Sequence, residues 1–152
     1  MFSRIASLVA LTLLLPSSMG AQGESKERAF AHSIKGAQLK WGPCPAFIPE
    51  GCEIAVLHGD PARPNADVFF KVPGNFSIPR HWHTSAERMV LVSGELQVTY
   101  DGQPPVTLRP GMYAYGPPRV PHTATCAKGD PCVLFIAFES PIDAVPAEMP
   151  SK

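Results

Sequence analysis

The stretch "HWHTSAERMVLVSGE", residues 81–95, sets two imidazoles and a carboxylate close together. Side chains two or four apart share one face of an extended strand. His81, His83 and Glu87 are all odd-numbered, so an extended run over 81–92 points them the same way. Met89 and Leu91 continue that face as an apolar wall. A polar end on an apolar wall is how a small barrel builds a ligand pocket. A turn inside "TSAE" would break this parity. A carboxylate buried beside imidazoles suffers a large desolvation penalty unless it is paired. One divalent cation would pair it, and imidazole with carboxylate suits Fe, Mn, Ni, Cu or Zn. A third imidazole, His122, lies in "GPPRVPHTATC", after a proline-rich turn where a new strand can begin. The alternative is a set of histidines near strand ends, solvated or bonded to backbone.

The elements that would position these groups are short strands. Apolar stretches recur between breakers: "CEIAVLHG" (52–59), "DVFFKV" (67–72), "ERMVLV" (87–92), "ELQVTY" (95–100), "VTLR" (106–109), "MYAY" (112–115) and "CVLFIAF" (132–138). Ser93-Gly94 reads as a two-residue hairpin turn and Asp101-Gly102 as the next turn. "ERMVLV" and "CVLFIAF" are apolar almost throughout, which predicts burial on both faces. Gly (12) and Pro (18) are numerous and scattered, which fits strands and turns better than long helices. Seven or eight short strands predict an all-β sandwich or small barrel.

The chain has 152 residues, enough for one domain. Its formal net charge is zero, which recommends neither nucleic acid nor an acidic membrane as partner. Residues 1–20 read as a signal peptide. Arg4 is a basic n-region, Ile5 to Leu15 an apolar h-region too short to span a membrane, and Pro16 its end. Ser18-Met19-Gly20 places cleavage after Gly20, with Ala21 as the alternative site; an uncleaved anchor is the other reading. Residues 21–40 read as a loose arm, 41–145 as the barrel domain and 146–152 as an irregular tail. Periplasmic or secreted placement follows, with no membrane attachment after cleavage. In an oxidising compartment four cysteines predict disulfides. Pairing neighbours, Cys44 with Cys52 and Cys126 with Cys132, needs only short loops, and "CAKGDPC" carries a turn between its cysteines. A zinc site is the weaker reading, because neither spacing is the usual gap.

Residues 74–122 resemble the two motifs of the cupin superfamily. The first reads Gly74, "NFSIPR", His81, Trp82, His83, "TSA", Glu87, "RMVLVS", Gly94. The second reads Gly111, "MYAYG", Pro117, Pro118, Arg119, "VP", His122, "TAT", Cys126. The resemblance implies a jelly-roll barrel (a double-stranded β-helix) and one divalent metal ion on His81, His83, Glu87 and His122, with Fe(II) favoured. Two positions depart from the pattern. Arg119 stands in place of glycine, and Cys126 in place of asparagine. Cys126 is either bonded to Cys132 or a free thiol facing the pocket.

Among other residues, Trp82 has opposite parity to the ligands and is expected outside the barrel or at a dimer interface. Arg80 and Arg88 are expected to be solvated. His32 and His58 are expected to be structural or surface residues. Tyr113 and Tyr115 share a face and either offer phenols to the pocket or cover their strand. Three imidazoles and a carboxylate leave open positions on a six-coordinate ion. The resemblance implies a small organic substrate, a homodimer and dioxygenase-type oxidation. A non-catalytic metal- or ligand-binding protein is the alternative, and metal-assisted isomerase or lyase chemistry a third. Glu87, Tyr113 and Tyr115 are the candidate proton carriers.

Overall fold

Leu96, Val98 and Tyr100 alternate with Gln97 and Thr99, and burial follows the alternation. The same period-2 pattern runs through most of the chain and sets its strands. A computed structural model describes residues 27–148, so the signal segment, its cleavage site and the last residues of the tail lie outside the described residues. From Ala31 onward the chain forms one compact unit. The strands are β1 (Trp41–Pro43), β2 (Glu53–His58), β3 (Ala66–Val72), β4 (Phe76–Trp82), β5 (Glu87–Ser93), β6 (Leu96–Tyr100), β7 (Val106–Leu108), β8 (Tyr113–Gly116), β9 (His122–Cys126), β10 (Cys132–Phe138) and β11 (Val145–Pro146). No helix occurs among the described residues.

Two antiparallel sheets carry the architecture. One has six strands in the order β1-β2-β3-β10-β5-β8, the other five in the order β11-β4-β9-β6-β7. Val68, Met89, Leu91 and Ile136 from the first sheet meet Ile78, Leu96, Val98 and Ala124 from the second in one core. This is the all-β jelly roll the sequence predicts.

Three local expectations change. Ser93-Gly94 is not a hairpin turn: β5 and β6 lie in different sheets, so these residues carry the chain across the core. Gly94 is needed there twice over. Its φ is +79°, and a Cβ would sit 2.8 Å from both Cys132 Sγ and the Pro131 carbonyl oxygen. The tail is not wholly irregular, since Val145 and Pro146 pair with Trp82 and His81. β10 is buried along most of its length, but β5 exposes Arg88 and Val92, because β8 covers the sheet edge and not its outer face.

The disulfides form between neighbours. Cys44 joins Cys52 and Cys126 joins Cys132, with Cα separations of 5.5 and 5.8 Å, and no cysteine is free. The free-thiol alternative for Cys126 is therefore excluded. The second bridge does not close a hairpin. Cys126 ends β9 in one sheet and Cys132 begins β10 in the other, so the bond links the two sheets.

Candidate metal centre

The run from Phe76 to Glu87 is not one continuous strand. Phe76 and Ile78 face the core from β4, which by parity would send Arg80 inward next. A bulge intervenes. Ile78 pairs with Ala124, but the next aligned pair is His81 with His122, so β4 spends an extra residue between them. Pro79, which lacks an N–H for the ladder, falls in this irregularity. The bulge moves His81 into the core-facing position and leaves Arg80 outside. There Arg80 bonds Asp101 and the carbonyl of Glu148, so it is paired and not merely solvated. Arg88, on the outer face of β5, pairs with Glu139.

Residues 84–86 then carry the chain from the five-stranded sheet to the six-stranded one. The crossover is pinned through its small polar residues. Ser85 is buried, and its Oγ accepts the N–H groups of Glu139 (2.9 Å) and Ser140 (3.1 Å). Asp143 accepts from the Thr84 N–H at 2.8 Å and from the Thr84 hydroxyl. His83 therefore leaves one sheet just as Glu87 enters the other.

His81, His83 and His122 are all buried, and their ring nitrogens lie within 4.8 Å of one another. Each ring faces a backbone carbonyl through Nδ1: His81 that of Pro79, His83 that of Asp143, His122 that of Val120. A carbonyl only accepts, so each Nδ1 carries the proton. With the proton placed there, Nε2 is the nitrogen left to bind a metal, which histidine does as the neutral ring. The Glu87 carboxylate lies 3.4 Å from His83 Nε2 and 3.9 Å from His122 Nε2. Burial raises its pKa, opposed by His83. Burial lowers His81 to about 4 and, with the neighbouring imidazoles, His122 to about 3. Such a group of neutral imidazoles around an ill-solvated carboxylate fits a divalent cation.

The centre opens on a cavity of about 130 Å³. Met89 lines it; Leu91 does not, and is packed in the core with no exposure. Tyr113 and Tyr115 do not reach it. They are 61% and 54% exposed, and on β8 they stand opposite Val90 and Arg88 on the outer face. Their candidacy as proton carriers is corrected by strand parity, which sends Ala114 and Gly116 inward. The phenol that does line the cavity is Tyr100, whose ring stacks at 4.6 Å from His122. Its inward direction was readable in the alternation of "ELQVTY". Burial and Glu87 both raise its pKa. Trp82 is half-buried beside Val145 and does not line the cavity, and His32 and His58 are not among the clustered imidazoles. Arg119 adopts φ +60°, the left-handed turn that glycine takes without strain. Its N–H bonds the His83 carbonyl at 2.8 Å, tying the second motif to the first.

The family model described as the cupin domain matches residues 68–138, from β3 to the end of β10, and encloses His81, His83, Glu87 and His122. Residues 68–138 are a cupin domain. Solved structures with the same fold include the DMSP lyase DddQ from Ruegeria pomeroyi, at 19% identity and TM-score 0.61, covering 71% of this cupin and 60% of that chain. The polyketide cyclase RemF from Streptomyces resistomycificus aligns at 18% identity and TM-score 0.62, covering 80% and 88%. A cupin 2 conserved barrel domain protein from Rhodopseudomonas palustris aligns at 15% identity and TM-score 0.59, covering 72% and 77%. This cupin spans less than two thirds of the length of the DMSP lyase chains it matches. No curated protein matches it by sequence.

Proposed function

We propose that this cupin is an exported enzyme that holds one divalent ion on His81, His83, Glu87 and His122 and acts on a small organic molecule. The observation that carries this is the three buried imidazoles, each fixed through Nδ1 so that Nε2 is free toward a shared apolar cavity. The donor set suits Fe, Mn, Ni, Cu or Zn, and the resemblance to the cupin motifs favours Fe(II). A bound ion supplies Lewis acidity or, as iron, the ability to activate dioxygen. The chain's own part is to orient the substrate and keep water out. A largely hydrocarbon cavity suits dioxygenase-type oxidation, which is the leading reading.

Tyr100 favours a second reading. Its phenol lines the cavity near Glu87, where metal-assisted lyase or isomerase chemistry would need a proton donor. The solved relatives named as a lyase and a cyclase show that this fold hosts such chemistry. Both disulfides agree with an oxidising compartment, and the apolar leader with export to the periplasm or beyond. Among the described residues no helix is long and apolar enough to cross a membrane. The exposed Tyr113 and Tyr115 on edge strand β8 support a homodimer.

Metal analysis of the exported protein, followed by oxygen uptake with small phenols and enols, tests the proposal. Full metal occupancy in the His81→Ala, His83→Ala double variant would refute the ligand set. An iron form that binds these molecules without consuming oxygen would remove the oxygenase reading. If it also converts none of them, the protein is a binding module.

A further inference from the structure

The cavity beside the four donors is walled by hydrocarbon, including Ile48, Ile54, Phe70, Leu134, Ile136 and Ile142. Its volume, about 130 Å³, is close to the roughly 150 Å³ of an aliphatic cavity that takes up benzene. Among the described residues no lysine or arginine lines it. Arg80 and Arg88 are paired outside the barrel, with Asp101 and Glu139. The polar groups that do line it are the metal donors, Asp143 and Tyr100. The Asp143 carboxylate is engaged by Thr84.

Tyr100 is different. Its Oη is buried and has no hydrogen-bond partner among the described residues. Buried hydroxyls are rarely left so, and an orphan at a cavity wall marks where a ligand atom belongs. The Tyr100 ring stands 4.6 Å from that of His122, and the residue lines the same cavity as the imidazoles. A Cβ placed on Gly116 would collide with Tyr100 Oη and come within 3.0 Å of Glu87 Oε2. Both oxygens therefore approach Gly116, and both residues line the cavity.

Charge narrows the ligand further. An imidazole that binds a metal does so as the neutral ring, through Nε2 with the proton on Nδ1, and Glu87 contributes one negative charge. A divalent ion leaves the centre with a net charge of +1. One anionic oxygen balances it. A second carboxylate on the ligand would be stranded against hydrocarbon with no cation to meet it.

We infer that the ligand is a compact, largely apolar molecule with a single metal-binding oxygen, a monocarboxylate or a phenol or enol, and that Tyr100 donates a hydrogen bond to that oxygen. This rests on the metal centre proposed above. Dicarboxylates, sugars and phosphorylated metabolites are excluded from the site by the same account.

The test uses the exported chain loaded with Co(II), whose visible spectrum reports ligand binding. Butyrate and phenol are the single-donor probes, succinate the two-carboxylate probe, and monomethyl succinate the control for size. Butyrate or phenol should perturb the cobalt bands. Succinate should bind about 100-fold more weakly than butyrate, and masking one carboxylate in monomethyl succinate should recover most of that loss. Tyr100→Phe should weaken the bound probe about tenfold with cobalt content unchanged. Failure to retain cobalt would remove the metal centre itself. Retained cobalt with succinate bound as tightly as butyrate, or with neither single-donor probe bound, would overturn the ligand class. Unchanged affinity in Tyr100→Phe would overturn the role of the phenol.

Discussion

Asp143 holds His83 from two directions. Its carbonyl accepts the His83 Nδ1–H, while its carboxylate binds the backbone and hydroxyl of Thr84, one residue on. The first contact sets the tautomer and rotation of the ring; the second fixes where that carbonyl stands. Partners of this kind typically change metal affinity 10–100-fold when removed. Asp143→Ala should therefore weaken metal binding by about tenfold or more while the fold survives. Asp143→Asn keeps an oxygen for the Thr84 N–H and should recover part of the loss. Competition against a chromogenic chelator measures both, with circular dichroism as the check on folding. Equal affinity in the alanine variant and the parent would show that the clamp does not act on the metal.

Gly116 and Gly111 should separate two uses of glycine. Gly111 has φ +87° and open space around its Cα, so alanine there meets backbone strain of about 1 kcal/mol and nothing else. At Gly116 a Cβ meets Tyr100 Oη and the Glu87 side chain. Gly116→Ala should cost about 1–3 kcal/mol by overpacking and should also lower metal content, because Glu87 must move. Denaturant midpoints with metal analysis on both variants decide it. Normal metal content in Gly116→Ala would place Glu87 outside the ligand set.

The clustering of His81, His83 and His122 was legible because motif spacing specifies residue types directly. The physical route that brings them together was not. Parity along 81–92 put His81, His83 and Glu87 on one strand face, whereas the chain turns at 84–86 and changes sheets. What brings His81 opposite His122 is the bulge at Pro79-Arg80. A proline inside "FSIPRHW" weakens a strand signal read from sequence, so β4 itself went unpredicted. Ser93-Gly94 carries a hairpin signature, but a two-residue turn and a sheet-to-sheet corner use the same residues. Which one forms depends on β10 pairing with β5, a contact some 40 residues away. Tyr100 and the tyrosines of β8 were separable by alternation alone. Tyr100 continues the face of Leu96 and Val98, while Tyr113 and Tyr115 flank Ala114, which faces inward.

The Cys126–Cys132 bridge joins strands of opposite sheets at a separation of 6 residues. Closing so short a loop stabilises by about 2 kcal/mol on the chain-entropy account. Both sulfurs are also buried, and Gly94 packs against Cys132. The Cys126→Ser, Cys132→Ser pair should therefore lose at least that amount, since two hydroxyls replace a buried apolar bridge. Urea unfolding of the variant against the oxidised parent measures it. A loss well below 1 kcal/mol would show that the sheets are held together without the bridge.

Acid should destabilise the metal-free protein through its imidazoles. Unfolded histidines take up protons near pH 6.5, but burial holds His81 to about 4 and His122 to about 3 in the folded chain. Between those values the unfolded state binds more protons, so stability falls as pH is lowered through the window. Each histidine contributes a slope of up to about 1.4 kcal/mol per pH unit. Glu87 acts in the opposite sense. Its folded pKa is raised by burial, so its cost is present at higher pH and is relieved as the folded carboxyl protonates. Two imidazoles outweigh one carboxyl, and the melting temperature of chelator-treated protein should drop between pH 6.5 and 5. His122→Asn should flatten that drop, because it removes one of the two groups that must stay neutral. Glu87→Gln should steepen it, because it removes the opposing titration. Calorimetry across this range distinguishes them, and the same slope in His122→Asn as in the parent would rule out the buried imidazole as its origin.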